Sequence, residues 1–594
     1  TLPSKYEALF RNLIKFYEEK QYQTALSYAD NILRDYPQHG DTMAMKALLT
    51  RYLKEQEINK HAYNMVKKAL EYVNNKSFIC WHVYGLMYKE DFKISQAITC
   101  FQNSLKFNPT NEIQAWRELS NVQIHSRDYK GAIESRRKLI ELKPGIGAFW
   151  LGYAVAQHLS GNLTGAIQTI DKYMTALFEQ SNKDSKNYKF EKSELLLYLA
   201  QMMYENGQYK ECADSLLANT KFLADELSTL ELLADCYIKL NQLDHAKKIA
   251  LQLIKKNSED YSYYGKYQLA CGFNTSENRF LLDDSKSNNN QQEEVALKLF
   301  EMYTTSEDLK EFREKSPVLK MIILSLCPPY NNSNDERFKK ELNSFVEPYF
   351  TKTIPSLFKT LKSIYQKQTC KIALIEQAML ERMNQEESNT TSNTSNTSTT
   401  TTNKDPTILL WIYVYLSQHY DAIHQYDKAL EYVNRAIEHT PTLIELYMLK
   451  AKFYKHLFNT EQAALCMEQA RLMDLSDRYL NTKATKYWTR HDEIEEEEKD
   501  SNLIPIEDGA IYHRNNVHDM QCLWFENECG DAHYRKGELS MAVRRYYYTV
   551  QHFMEMYEDQ FDFHTYSIRK MTLRSYIEMM KYYDKLYSQY FYFH

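Results

Sequence analysis

Residues 81–109 read WHVYGLMYKEDFKISQAITCFQNSLKFNP. Trp81, Tyr84, Gly85 and Tyr88 share one helical stretch, Ala97 and Phe101 a second, and Pro109 closes it. The large side chains sit at helical spacing and form apolar faces that a neighbour must cover. Gly85 and Ala97 are small where two narrowly crossing helices would touch, and Pro109 ends the second helix because it has no N–H for the next turn. Working outward, Trp116 follows Trp81 by 35 residues and Trp150 follows by another 34. Sixteen residues after each tryptophan stands an alanine, Ala97, Ala132 and Ala166, and Pro144 repeats the place of Pro109.

This spacing of Trp, Tyr, Gly, Tyr, then Ala, Phe and Pro is the tetratricopeptide pattern, with two antiparallel helices per unit. The same ruler finds further units. Ala25 with Pro37 marks a first and Ala62 a second; Cys212 and Ala246, again 34 apart, mark two more. Ala429 with Tyr420, Val433, Ala436 and Pro441 forms another, and Ala463 with Ala451, Tyr454, Met467 and Ala470 lies 34 residues on. Gly530 and Ala542 suggest one near the end. The fold expected is all-α: a tetratricopeptide-repeat superhelix, an α-solenoid of roughly a dozen helical pairs, ring-like in outline.

Composition agrees. A chain of 594 residues exceeds the size at which one core keeps growing, and only 14 Gly and 12 Pro interrupt it. The net charge of −6 gives no strong overall field towards nucleic acid or anionic lipid. The ten cysteines contain no CxxC pair and read as reduced, buried thiols. No signal peptide and no long apolar run stand out, so the expectation is a soluble, cytoplasmic protein with no membrane contact. The 48 tyrosines reflect compositional bias more simply than a tyrosine-based function.

The expected organisation is tetratricopeptide repeats over 1–260, degenerate helical repeats over 261–385, and a disordered Asn/Thr/Ser loop over 386–405. Central repeats then occupy 406–490, an acidic loop 491–515, and C-terminal helical repeats 516–594. A further polar stretch, 283–294, reads as a loop between repeats.

No Gly-rich phosphate loop, HExxH or GxSxG occurs, and no strands are expected that could build an acetyl-coenzyme A site. His82, between Trp81 and Val83, reads as a packed histidine. No catalytic residue and no metal ligand set is assigned. One basic cluster carries a binding expectation: Lys450, Lys452, Lys455 and His456, with Arg478, Lys483 and Lys486 about one repeat later. First helices of neighbouring repeats stack along one wall, so these side chains would converge on a polyanion; ordinary solvated lysines account for them as well. Lys54, Lys60, Lys67 and Lys68 form a second, weaker basic patch. A carboxylate clamp of the chaperone-tail kind is unsupported, because Phe10 and Ile14 stand at its positions.

Several segments are similar to the auxiliary subunit of the N-terminal acetyltransferase A complex: CWHVYGLMY (80–88), SELLLY (193–198), LLW (409–411) and SQHYDAI (417–423). So are ALEYVNRAIEHTPTLIELYMLKAKFYKH (429–456), MQCLWF (520–525), DQFDFHTYSIRKMTLRSY (559–576) and FYF (591–593). The resemblance is weak over 260–385, and the Thr-rich stretch and the acidic run after His491 depart from the family. It implies a non-catalytic superhelix around a small acetyltransferase-fold subunit that itself uses acetyl-coenzyme A. It further implies tuning of that subunit towards small N-terminal residues exposed after methionine removal, and tethering to the ribosome, through its RNA and exit-tunnel proteins. It also implies inositol hexakisphosphate held between the subunits by Lys450, Lys452, Lys455, His456, Arg478, Lys483 and Lys486. The basic patch of Lys54, Lys60, Lys67 and Lys68 is the expected ribosome contact by its charge alone, and solvated helix faces account for it equally well. The chain stops short of the family's usual C-terminal portion and is expected to be a fragment or the ordered part of a longer protein. A scaffold of another large assembly, or a peptide-binding adaptor, is the competing expectation; an intrinsic enzyme would need a cofactor domain that the sequence does not offer.

Overall fold

The computed structural model describes residues 2–53, 59–107, 113–178, 187–273, 289–328, 336–393, 407–492 and 518–594. Its regular elements are helices, and no strand occurs among the described residues. The opening stretch folds as expected, into Phe78–Glu90 and Ile94–Phe107. Ser77 caps the first helix, its Oγ accepting from the Cys80 N–H at 3.1 Å. Ala97 and Phe101 are fully buried, and Gly85 faces the Phe101 ring. Pro109 lies outside the described residues.

Between the two helices of a unit the chain turns through a left-handed residue, Phe92 at φ 51° in this unit. The next N–H, of Lys93, reaches back to the carbonyl of Tyr88 at 2.9 Å and satisfies an end carbonyl of the helix. Arg127 (64°) and Gly161 (84°) repeat the turn 35 and 34 residues later. His424 (62°), Phe458 (59°) and Asp492 (67°) do so again at intervals of 34.

The tryptophans that revealed the period are only half buried and have a second role. The Trp81 indole N–H donates to the carbonyl of Asn75 at 3.0 Å, and that of Trp150 to Pro144 at 2.8 Å. Each fastens its helix to the turn six residues before it. Tyr264 to Ser258, Tyr447 to Pro441 and Asn481 to Leu475 make the same link, each at 3.0 Å.

The chain divides into two compact units. The first comprises Thr1–Thr229 with Phe553–Ser588. Its helical pairs run from Ser4–Glu18 with Tyr22–Asp35 to Tyr188–Glu205 with Tyr209–Ala218. Phe10 and Ile14 pack on the core of the first repeats, as apolar residues should. Ile568, Leu573, Tyr576, Ile577 and Met580 share a core with Val155, Ile170 and Leu195, so Leu573–Tyr583 completes the packing of this unit. Arg574 Nη2 pairs with Glu194 at 2.9 Å and Arg127 with Asp584 at 2.7 Å. Residues read from the sequence as one C-terminal block, 516–594, thus contribute to both units.

The second unit comprises Leu230–His552 with Gln589–His594. Over 261–385 its helices depart from the two-helix rhythm, and large tyrosines fill the core: Tyr263, Tyr264, Tyr267 and Tyr303 are all buried. Regular pairs return with Thr407–Ala422 and Tyr426–His439, then Ile444–His456 and Thr460–Met473. The Ile372–Asn393 helix runs eight residues into the stretch expected to be a loop from 386, because neither Gly nor Pro stops it there. The remainder of that loop (394–405), most of the acidic loop (493–515) and the first half of the polar stretch (283–288) lie outside the described residues; its second half, expected to be loop, instead opens the helix Asn289–Thr305. No helix among the described residues is long and apolar enough to cross a membrane.

All ten cysteines are free thiols, seven of them buried. His82 sits between the rings of Phe78 and Phe101, each 5.5 Å away, and burial pulls its pKa down to about 4, as a packed neutral histidine requires.

Candidate functional site

Lys452, Lys455 and His456 lie three and four residues apart on Ile444–His456 and so share one face; Lys483, Lys486 and Arg490 do the same on Arg478–Arg490. Ile444–His456 packs beside Thr407–Ala422, and Arg478–Arg490 beside Leu523–Arg535. Those outer helices supply the only carboxylates that pair with the cluster among the described residues. Asp421, 5% exposed, receives Lys452 Nζ at 2.9 Å and lies 2.5 Å from His456 Nδ1. Glu528 receives Lys486 at 2.8 Å and the two-pronged guanidinium of Arg490 at 2.6 and 2.9 Å.

The two basic faces converge. Burial, together with the charges of Arg490, Lys452 and Lys483, holds the Lys455 ammonium below its ordinary pKa, which shows that the four cations share one field. Burial alone would raise the Glu528 carboxyl, but hydrogen bonds from Arg490 and Lys486 outweigh it and leave the group below its usual range. Neither Lys455 nor Lys483 has a carboxylate partner among the described residues; Lys483 stands over the Tyr479 ring at 5.3 Å and Lys486 over Trp524 at 5.7 Å. Five cations therefore face two carboxylates, and the His456 ring lies against one of them, Asp421. Such an excess on a partly exposed wall suits a multiply charged anion, and phosphate groups would be held by ammonium and guanidinium donors.

Two residues of the expected set do not join. Lys450 lies about 200° around its helix from Lys452, and its charge acts on Cys466 of Thr460–Met473 instead. Arg478 opens its helix, exposed, about 140° from the Lys483 face. Arg490 was missed, although its spacing from Lys483 and Lys486 marks the same stripe. Of the weaker patch, Lys67 and Lys68 are exposed on Asn59–Tyr72; Lys54 and the side chain of Lys60 lie outside the described residues.

Among the described residues, one cluster has metal-ligand chemistry. Ligand atoms of His518, Glu526 and His552 lie within 4.8 Å of one another. Arg545 donates to Glu526 at 2.9 Å, however, and already neutralises the carboxylate that a cation would need.

A family model described as N-terminal acetyltransferase A, auxiliary subunit, matches residues 190–594. Over its whole length the chain is 33% identical to the N-terminal acetyltransferase A complex auxiliary subunit NAA15 of Arabidopsis thaliana, covering 62% of that protein. It is 35% identical to N-alpha-acetyltransferase 16, NatA auxiliary subunit, of Homo sapiens, covering 64% of it. The chain thus spans under two thirds of the length of these relatives. A solved structure of Naa15/Naa10 bound to HypK-THB is similar over 99% of this chain and 82% of its own, with a TM-score of 0.82 and 31% identity.

Proposed function

This chain belongs to the N-terminal acetyltransferase A auxiliary-subunit family, and from that premise we propose that it is the non-catalytic scaffold of a protein N-terminal acetyltransferase complex. It holds a small acetyltransferase-fold subunit, adjusts that subunit's pocket towards small N-terminal residues, and carries it to the ribosome in the cytoplasm. The observation that supports this most is the likeness, along nearly the whole chain, to a relative solved together with Naa10. Repeat solenoids of this kind present long surfaces rather than closed catalytic pockets, which suits a holding role. Acetyl-coenzyme A is then used by the partner. The decisive experiment is affinity purification from the native cell, followed by acetyl transfer to peptides starting with Ser, Ala or Thr. The chain alone should be inactive and should confer activity only with its co-purifying subunit. Absence of any acetyltransferase-fold protein from the purified complex overturns the reading.

The converging basic wall is part of the same proposal. Lys452, Lys455, His456, Lys483, Lys486 and Arg490 hold inositol hexakisphosphate, a small polyanion whose charge matches the excess of cations there. Ribosome attachment draws on exposed lysines of the first repeats such as Lys67 and Lys68, and co-sedimentation at low salt should weaken when both are reversed to Glu.

A further inference from the structure

The segment DQFDFHTYSIRK (559–570), one of the most particular in the sequence, borders a cavity of about 320 Å³ in the first unit. His564, Thr565, Ile568 and Arg569 line it from one side; Arg117, Asn121, Arg136 and Phe149 are among the residues opposite. Arg117, Arg136 and Arg569 contribute three positive charges, and no Asp or Glu is among the lining residues.

Arg136 is the unusual member. It is 3% exposed, and its Nη1 donates to the carbonyl of Gly152 at 2.5 Å. A Cβ on residue 152 would stand 3.3 Å from that nitrogen, so glycine lets the guanidinium lie close to the backbone. No carboxylate pairs with Arg136 among the described residues, and burial pulls its pKa below the ordinary arginine value. A guanidinium has five N–H donors, and a buried cation without a counter-ion is costly to maintain. Asn121, 7% exposed, also lines the cavity and adds an amide that can donate as well as accept. Arg117 and Arg569 are exposed at the mouth, and neither has an ion-pair partner among the described residues. His564 adds no charge, because burial and the neighbouring cations keep it neutral, with Nδ1 2.8 Å from the Tyr576 hydroxyl. Leu139, Phe149 and Ile568 give the remaining wall an apolar character.

We propose that this cavity is a binding site for one oxyanion group, a carboxylate or phosphate carried on a small apolar moiety. Arg136 and Asn121 hold the group from the floor, Arg117 and Arg569 close over it, and the apolar wall takes the attached moiety. The cavity shares no residue with the basic wall of the second unit. The same chemistry is available on a free phosphate ester or on the terminal carboxylate of a peptide, and the cavity admits either.

Calorimetric titration of the 594-residue chain tests this with two probes, phenyl phosphate and a short acetylated peptide ending in Phe with a free carboxylate. Saturable binding of either is expected, with loss on amidation of the peptide's carboxylate if the source is a peptide. Arg136→Met should abolish binding while leaving the thermal transition unchanged or raised, since it removes a buried unpaired charge. The double variant Arg117→Gln, Arg569→Gln alters only exposed side chains and should weaken binding about tenfold or more. Absence of saturable binding by both probes overturns the proposal, and so does binding that survives the double variant undiminished. Should Arg136→Met fail to fold, the double variant alone decides.

Discussion

Gly85 lies against the ring of Phe101, so closely that a Cβ on the glycine would stand 2.7 Å from Phe101 Cε1. Phe101 is fully buried and cannot swing aside without opening the core beneath Ile94–Phe107. Gly85→Ala should therefore cost about 1–3 kcal/mol from overpacking, partly offset by about 1 kcal/mol of helix propensity. Gly530 bears the same sixteen-residue relation to Tyr546, but that ring is only half buried, so Gly530→Ala should cost less. Urea melts of both variants check the order, and a larger loss at Gly530 would contradict it. Phe101→Leu should partly rescue Gly85→Ala.

His82 and His125 make the first unit sensitive to mild acid. Burial lowers each to about 4, whereas an unfolded histidine titrates near 6.5. The folded pKa is the lower one, so between pH 6.5 and 4 the unfolded chain binds more protons than the folded one. Stability is thus complete above about 6.5 and falls as pH drops, by up to about 1.4 kcal/mol per pH unit for each histidine. His82→Phe should flatten its share of that slope, since its neighbours Phe78 and Phe101 accept another ring. The measurement is the urea midpoint across pH 7 to 5, and an unchanged slope in the variant refutes the account.

The fold was largely legible because the small residues at helix crossings and the 34-residue period are local signals. The turns between helices were not. Phe92, Arg127, His424, Phe458 and Asp492 all adopt the left-handed region at repeat spacing, and no shared residue type betrays it. The backward link of Trp81 and Trp150 was hidden for the same reason, since Tyr264, Tyr447 and Asn481 make it with different chemistry. In the basic cluster, spacing along the chain brought in Lys450 and Arg478, which the angular step of the helix turns away from the shared face. Asp421 and Glu528 could not be found from sequence, because their pairing depends on which helices pack side by side.

Those two carboxylates offset part of the positive charge of the basic wall. Asp421→Asn and Glu528→Gln each remove a negative charge, so inositol hexakisphosphate should bind more tightly to either variant, by several-fold at low salt. Lys455→Gln and Lys483→Gln remove unpaired cations and should weaken binding by a similar factor. Because Asp421 is buried, Asp421→Asn should also lower the thermal transition of the unliganded chain. Calorimetry at two salt concentrations reads all four variants. Equal weakening by Asp421→Asn and Lys455→Gln would rule out a polyanion on this face.

The returning segment 573–583 makes the most far-reaching prediction. Leu573, Tyr576, Ile577 and Met580 are buried in the core shared with residues 151–202, and Leu573–Tyr583 lies against Gly147–Leu159 and Tyr188–Glu205. Ile577 is fully buried, so Ile577→Ala leaves a cavity and should cost about 2–5 kcal/mol. Although the substitution is near the end of the chain, its effect should appear at helices about 400 residues earlier, because side-chain packing there depends on it. Hydrogen exchange should accelerate in Gly147–Leu159 and Tyr188–Glu205 and stay unchanged in Thr407–Ala422, which belongs to the other unit. Faster exchange confined to residues after 552 would mean that the segment rests on the first unit without supporting it.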